Sequence, residues 1–301
     1  MTPALRGAFM IVVASMFIAA TTMMAKMLGS SDPAVNITNS AMALSPFQIA
    51  WGRFAFALLA LLIVIAIKRP AMAGFHPKLH AGRVAFGASG VTAMFAAATL
   101  IPLADATAIT FLNPVIAMVL AVLFLREKVG PIRWSMAALA FLGTLLLVRP
   151  ATSAFQPDAL VALLAAVLLG AEILFLKRLS DREPTVQILL VANTCGFLLM
   201  SMAMLWFWQS PSVEQWVLLI AIGPTMLMAQ SLFTPALRLG DASFIVPFSY
   251  SVLIFAAIYD VLFFGTVPVP LSLLGSAIIL VSGVILAWRE GRVQKRQNRL
   301  G

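Results

Sequence analysis

Long apolar runs alternate with short polar breaks along this chain. Ten runs stand out, at roughly 8–28, 47–67, 84–104, 107–125, 132–148, 159–179, 186–207, 216–237, 243–264 and 271–288. Most approach the length of about 20 residues that a helix needs to cross about 30 Å of hydrocarbon. The runs are continuous instead of alternating with period two, which selects helices over the strands of a barrel. A spanning helix also satisfies its own backbone hydrogen bonds. The longest breaks, 29–46, 68–83 and the C-terminal tail, are too short to hold a soluble domain. The predicted fold class is an all-α integral membrane protein with ten transmembrane helices.

Composition agrees. With 62% hydrophobic residues, 10% charged residues and a mean hydropathy of +1.02 over 301 residues, the chain exceeds the apolar share of water-soluble domains. The lipid bilayer is therefore its first partner.

A repeat organises the runs. At an offset of 136, Leu103, Asp105, Ala106, Thr107 and Ile109 reappear as Leu239, Asp241, Ala242, Ser243 and Ile245, each set leading into an apolar run. At 151, Lys26 meets Lys177 and Thr21 meets Glu172; at 138, Ser45-Pro46 meets Glu183-Pro184. The halves, 1–150 and 151–290, thus hold five spans each, followed by a basic tail at 291–301. Five is odd, so the halves insert with opposite orientation, an arrangement that many secondary transporters share.

The basic residues fit that topology. With the N-terminus in the cytoplasm, seventeen of the twenty fall on cytoplasmic segments: Arg6; Lys68, Arg69, Lys78, Arg83; Arg126, Lys128, Arg133; Lys177, Arg178, Arg182; Arg238; and Arg289, Arg292, Lys295, Arg296, Arg299. Arg149 alone lies outside, and Lys26 and Arg53 lie within spans. This is the positive-inside pattern. It explains the formal charge of +9 without nucleic acid.

Other features carry less. Cys195 is the single cysteine, so no intramolecular disulfide can form. The first run continues to Lys26 and reads as a retained span instead of a cleaved signal. His76 and His80 have the spacing of two metal ligands, but Pro77 separates them and no third ligand stands nearby. A solvated loop and no metal site is expected. Asp105 and Asp241 open repeated turns, where a carboxylate caps exposed N–H groups. The basic tail reads either as a disordered arm on anionic lipid or as a plain topology signal. Pro114, Pro224, Pro235 and Pro247 interrupt spans four, eight and nine, as packing kinks or as breaks along a solute path.

The stretch PLADATAITFLNPVIAMVLAVLFLREKV, the SPFQIAWGRF opening of span two and the weaker LRLGDASFIVPFSYSVLIFAAIYDVLF together resemble the EamA-like families of the drug/metabolite transporter superfamily. The resemblance covers nearly the whole chain. It implies two inverted five-helix repeats around a central cavity, a bacterial inner membrane location with both termini cytoplasmic, and a small organic solute as partner. The second half departs from the first: Arg126-Glu127-Lys128 is matched by Leu262-Phe263-Phe264, and four residues are inserted before Gly283, the counterpart of Gly143.

Ionisable residues inside spans are costly unless they face a cavity or a partner, and so they carry the site hypothesis. Glu172 is the deepest, thirteen residues into span six, and points roughly 200° away from Gly170 on its helix. It reads as a proton or cation site, or as a structural partner. Arg53 calls for an acidic partner, Asp260 or Glu172, or for a substrate carboxylate. Asn113, its repeat equivalent Ser249, Tyr250, Gln230 and Asn193 could hydrogen-bond a solute or bond across helices. Trp51 and Phe95 could line an aromatic wall or serve as packing.

No GxxxxGK[ST] phosphate loop occurs, so transport would draw on gradients, with no cofactor beyond a coupling proton or cation. Nor does a paired acid, thiol or metal constellation point to an enzyme. The reading is a secondary active transporter working by alternating access. The competing classes are a membrane-embedded enzyme and a channel or receptor.

Overall fold

A computed structural model describes residues 2–29, 43–100, 109–148, 157–265 and 270–297. Among these the chain is all helix: α1 (Pro3–Gly29), α2 (Pro46–Lys68), α3 (Pro77–Leu100), α4 (Asn113–Leu125), α5 (Pro131–Val148), α6 (Ala159–Ser180), α7 (Thr185–Phe207), α8 (Val213–Arg238), a short α9 (Ala242–Ile245), a 3-10 turn (Val246–Tyr250), α10 (Ser251–Phe264) and α11 (Pro270–Gln297). Among the described residues six helical segments are long and apolar enough to cross a membrane: α1, α2, α6, α7, α8 and the composite Ala242–Phe264. Asn113–Leu125, Pro131–Leu146 and Leu273–Arg289 are shorter apolar helices. Large exposed side chains such as Leu62, Leu123, Leu205 and Val284 form the outer surface. The chain is a multi-pass membrane protein.

Local chemistry sets the helix ends. Ser45 caps α2 by accepting the Gln48 N–H at 3.2 Å, with Pro46 in the first turn. Ser212 and Gln215 form a reciprocal capping box at the start of α8. Arg69 and Arg126 close α2 and α4 in the left-handed conformation, with φ of 41° and 56°. Pro224 and Pro235 leave α8 continuous, whereas Pro247 lies in the 3-10 turn and Pro114 opens α4. The ninth run is therefore two helices joined by a turn. α11 extends to Gln297, so the first part of the basic tail is helical, not a disordered arm from residue 291. Arg, Glu, Gln and Lys there are all good helix formers.

The pairing of helices has a pattern. α3 packs on α6 as α1 packs on α8, and α4 packs on α6 as α1 packs on α10. α2 packs on α7 and α5 on α11. Exchanging the halves maps each of these contacts onto another or onto itself; the packing of α2 on α8 is the exception, being far more extensive than that of its counterpart, α7 on α3. Small residues permit the close approaches, as in other membrane bundles. A side chain at Gly143 would meet the Gly275 carbonyl at 2.8 Å, and one at Gly223 would strike the backbone of α2. One end of the bundle gathers the basic connections, with Lys177 donating to the Leu237 carbonyl at 2.6 Å and Arg178 to that of Phe124 at 3.0 Å. The largest buried cluster, including Ile11, Leu179, Leu237, Phe244 and Ile245, also lies toward this basic end.

Candidate functional site

Glu172 projects from α6 toward α3, and α3 is built to receive it. Gly82, Gly87 and Gly90 face Phe175, Glu172 and Leu169 in turn, and a Cβ at Gly87 would lie 2.9 Å from the Glu172 carboxyl carbon. One turn earlier on α3, Arg83 directs Nε to Glu172 Oε1 at 3.7 Å and donates through Nη1 to the Ile188 carbonyl of α7 at 3.3 Å. Arg83 is nearly closed off, yet 29% of the Glu172 side chain remains accessible although protein surrounds it. Arg53 of α2 is the third member, within electrostatic reach of Glu172 but with no ion pair among the described residues. Its guanidinium lies 4.2 Å from the centre of the Phe54 ring.

Two expectations are corrected by this geometry. Arg83 is not a loop charge: α3 begins at Pro77, earlier than the apolar run, and carries Arg83 inside the bundle. A proline at a first helical position was the readable signal. Asp260 does not pair with Arg53 either. It takes Lys26 at 2.7 Å, because α1 packs along α10, and Lys26 also sits over the Phe264 ring.

The neutral polar candidates are spread over several contacts. Tyr250 is fully buried and donates its hydroxyl to the Phe111 carbonyl at 2.9 Å, tying the turn after α9 to the turn before α4. Asn113 donates to the Thr110 carbonyl at 3.0 Å within the same broken segment, and Ser249 is half-buried beside Tyr250. Asn193 donates to Gln230 at 3.0 Å, joining α7 to α8. Trp51 donates to Ser201 at 3.1 Å and belongs to an aromatic group with Phe56, Phe197 and Trp208. The side chain of Phe95 and all of Asp105 lie outside the described residues. Cys195 is half-buried.

At the basic end two carboxylates fasten connections. Glu127 accepts the N–H groups of Ala242 at 2.8 Å and Ser243 at 2.9 Å. Asp241, expected to cap this turn, makes no cap bond and instead accepts from Arg133 at 2.8 Å. The cap thus comes from the first half, whose α4 and α5 lie alongside.

The second fastening involves the histidines: His76 lies in the largely exposed connection before α3, as expected, whereas His80 is on α3 and buried. His76 and His80 contact the two oxygens of Glu183 at 2.9 and 2.8 Å, and His80 is buried. Gln187 donates to the same carboxylate at 2.8 Å and binds the backbone at Ala73 and Gly74. Glu183 is shielded from solvent, although it lies just beneath the surface. Burial works against its charge, but hydrogen bonds from His80 and His76 outweigh it and hold the carboxyl below the usual range. Among the described residues no group of three or more His, Cys, Asp or Glu is placed to hold a metal.

A cavity of about 180 Å³ opens among α1, α5, the 3-10 turn and α11, lined by residues including Val12, Met136, Pro247, Phe248 and Gly283. It is apolar and does not include Glu172, Arg83 or Arg53.

Comparison with known proteins places this arrangement. The EamA-like transporter family model matches residues 5–149 and again 157–288. An S-adenosylmethionine uptake transporter of Rickettsia prowazekii is 25% identical over 82% of this chain and 84% of its own. A riboflavin transporter of Rhizobium johnstonii is 29% identical over 75% of each chain. One solved crystal structure shares the fold, with a TM-score of 0.74 at 19% identity over 94% of this chain and 97% of its own. With the family model matching both halves, the chain belongs to the EamA-like transporter family.

Proposed function

We propose that the chain is a secondary active carrier, an exporter or exchanger of a small organic metabolite across the bacterial cytoplasmic membrane. It works by alternating access between two inverted five-helix repeats, 1–150 and 151–290, with both termini in the cytoplasm. The contact pattern that survives exchange of the halves supports this reading, since two equivalent packings of one scaffold are what alternating access requires. The second match of the family model to residues 157–288 is consistent with it.

The observation that carries the site is the Glu172–Arg83 pair at 3.7 Å between the facing helices α6 and α3. Glu172 is the coupling residue: ionised, it holds Arg83; neutralised by a proton or engaged by a cation, it lets Arg83 go. With Arg83 and Arg53 both near, the site disfavours a cationic group of the solute, which leaves coupling as the better role for Glu172.

Counterflow in proteoliposomes tests the class, with S-adenosylmethionine and riboflavin as the first solutes loaded because relatives are named for them. A carrier exchanges labelled for unlabelled solute. An enzyme yields a new product, and a channel shows no acceleration by solute on the far side. Tags at Lys78 and Ser210 test the topology, with Lys78 expected in the cytoplasm and Ser210 outside. Both on one side would break the inverted-repeat arrangement.

A further inference from the structure

The charges buried in the bundle do not balance. Glu172 and Arg83 lie 3.7 Å apart and neutralise one another. Asp260, in the segment that was expected to supply a counter-charge for Arg53, is held by Lys26 at 2.7 Å. Arg53 is left with the Phe54 ring and with the distant attraction of a carboxylate already engaged elsewhere. No acidic oxygen lies within 4.0 Å of it among the described residues.

A guanidinium in that position is expensive, and such groups inside spans face a cavity or a partner. Arg53 is turned away from lipid. On α2 the buried positions Ala57 and Leu61 lie roughly 40° and 80° from Arg53 at 100° per residue, so Arg53 shares their protein-facing side. Its fork of N–H donors fits the two oxygens of a carboxylate.

We infer that Arg53 is the binding residue for an anionic carboxylate on the transported solute. The inference rests on the carrier reading above. Charge balance selects a carboxylate over a phosphate monoester. In the state in which Glu172 is ionised and cancels Arg83, one positive charge remains for the solute to neutralise, whereas a phosphate at about −1.5 to −2 would leave that state negative. The carboxylate docks at Arg53 without displacing Glu172 from Arg83, so solute binding and coupling use different cations.

The test compares metabolites inside and outside cells that lack the protein, express it, or express Arg53→Gln or Arg53→Lys, with folded yield measured for each by size-exclusion of a fluorescent fusion. Each acid redistributed by the wild type is then assayed beside its carboxamide in proteoliposomes. The expected result is that the redistributed solutes carry a carboxylate and that their carboxamides are transported about tenfold less or worse by the wild type. Arg53→Gln should lower transport of the acid by a similar factor per folded molecule, with Arg53→Lys between, the factor that loss of a charged hydrogen-bonded pair gives. Acid and carboxamide moving equally, phosphate esters moving in place of carboxylates, or Arg53→Gln transporting the acid like the wild type would each overturn the inference while leaving the carrier reading intact. If the wild type moves no solute, the carrier reading fails and takes this inference with it.

Discussion

Glu127 Oε2 accepts the backbone N–H of Ser243 at 2.9 Å, so a carboxylate from the first half of the chain closes a helix start in the second. Its repeat counterpart is Phe263, which cannot do the same. The basic end therefore carries a polar clasp, reinforced by Arg133 on Asp241, whose carboxylate at position 127 has no counterpart at position 263. Replacing Glu127 by Ala should cost about 1 kcal/mol, as for other lost helix caps. The check is thermal unfolding in detergent, where the variant should melt earlier and Glu127→Asp should recover part of the loss.

The Glu183 clasp makes a prediction about acid. Its carboxyl is held below the ordinary value in the folded protein, so its contribution is fully present above the unfolded value of about 4.3 and is lost as pH falls through the lower folded value. Thermal midpoints of the wild type should fall on acidification below about pH 4. Glu183→Gln should start lower at neutral pH, through the lost hydrogen bonds of His76 and His80, and should fall less steeply over that window. Parallel curves would show that Glu183 does not titrate in this way.

Gly87 supplies the space for the Glu172 carboxyl group. The atom an added Cβ would meet at 2.9 Å is the far end of a flexible side chain, so Gly87→Ala should displace the carboxylate instead of disrupting the bundle. The expected outcome is a small change in melting temperature with a large loss of gradient-driven transport. Adding Gly87→Ala to Glu172→Gln should then have little further effect on that transport, because the two changes act on one contact. Gly82→Ala is the contrast, since its Cβ would run into the Phe175 ring and should lower stability outright.

The helices were legible in the sequence because hydrocarbon imposes long apolar runs, and among the described residues the runs overlap helices, six segments of which are long and apolar enough to cross a membrane. The interrupted ninth run was marked by Pro247, whereas Pro224 and Pro235 are accommodated within a continuous helix. Glu172 stood out because a carboxylate at that depth is costly. Its partner Arg83 did not, since hydropathy alone puts the edge of the third span at residue 84 and the helix that begins at Pro77 extends about two turns beyond it. The capping role of Glu127 and the pairing of Lys26 with Asp260 were hidden for a different reason. Both join residues more than a hundred positions apart, and no local pattern encodes which helices will lie together.

The central claim is that Glu172 couples transport to a gradient, and Glu172→Gln tests it most directly, since it keeps the shape of the side chain and removes its titration. Wild type and variant are reconstituted at equal folded amounts, and both counterflow and accumulation driven by a pH gradient are measured, with a sodium gradient as the second condition. The account expects the variant to exchange solute while losing accumulation. Accumulation per folded molecule equal to that of the wild type under both gradients would contradict it.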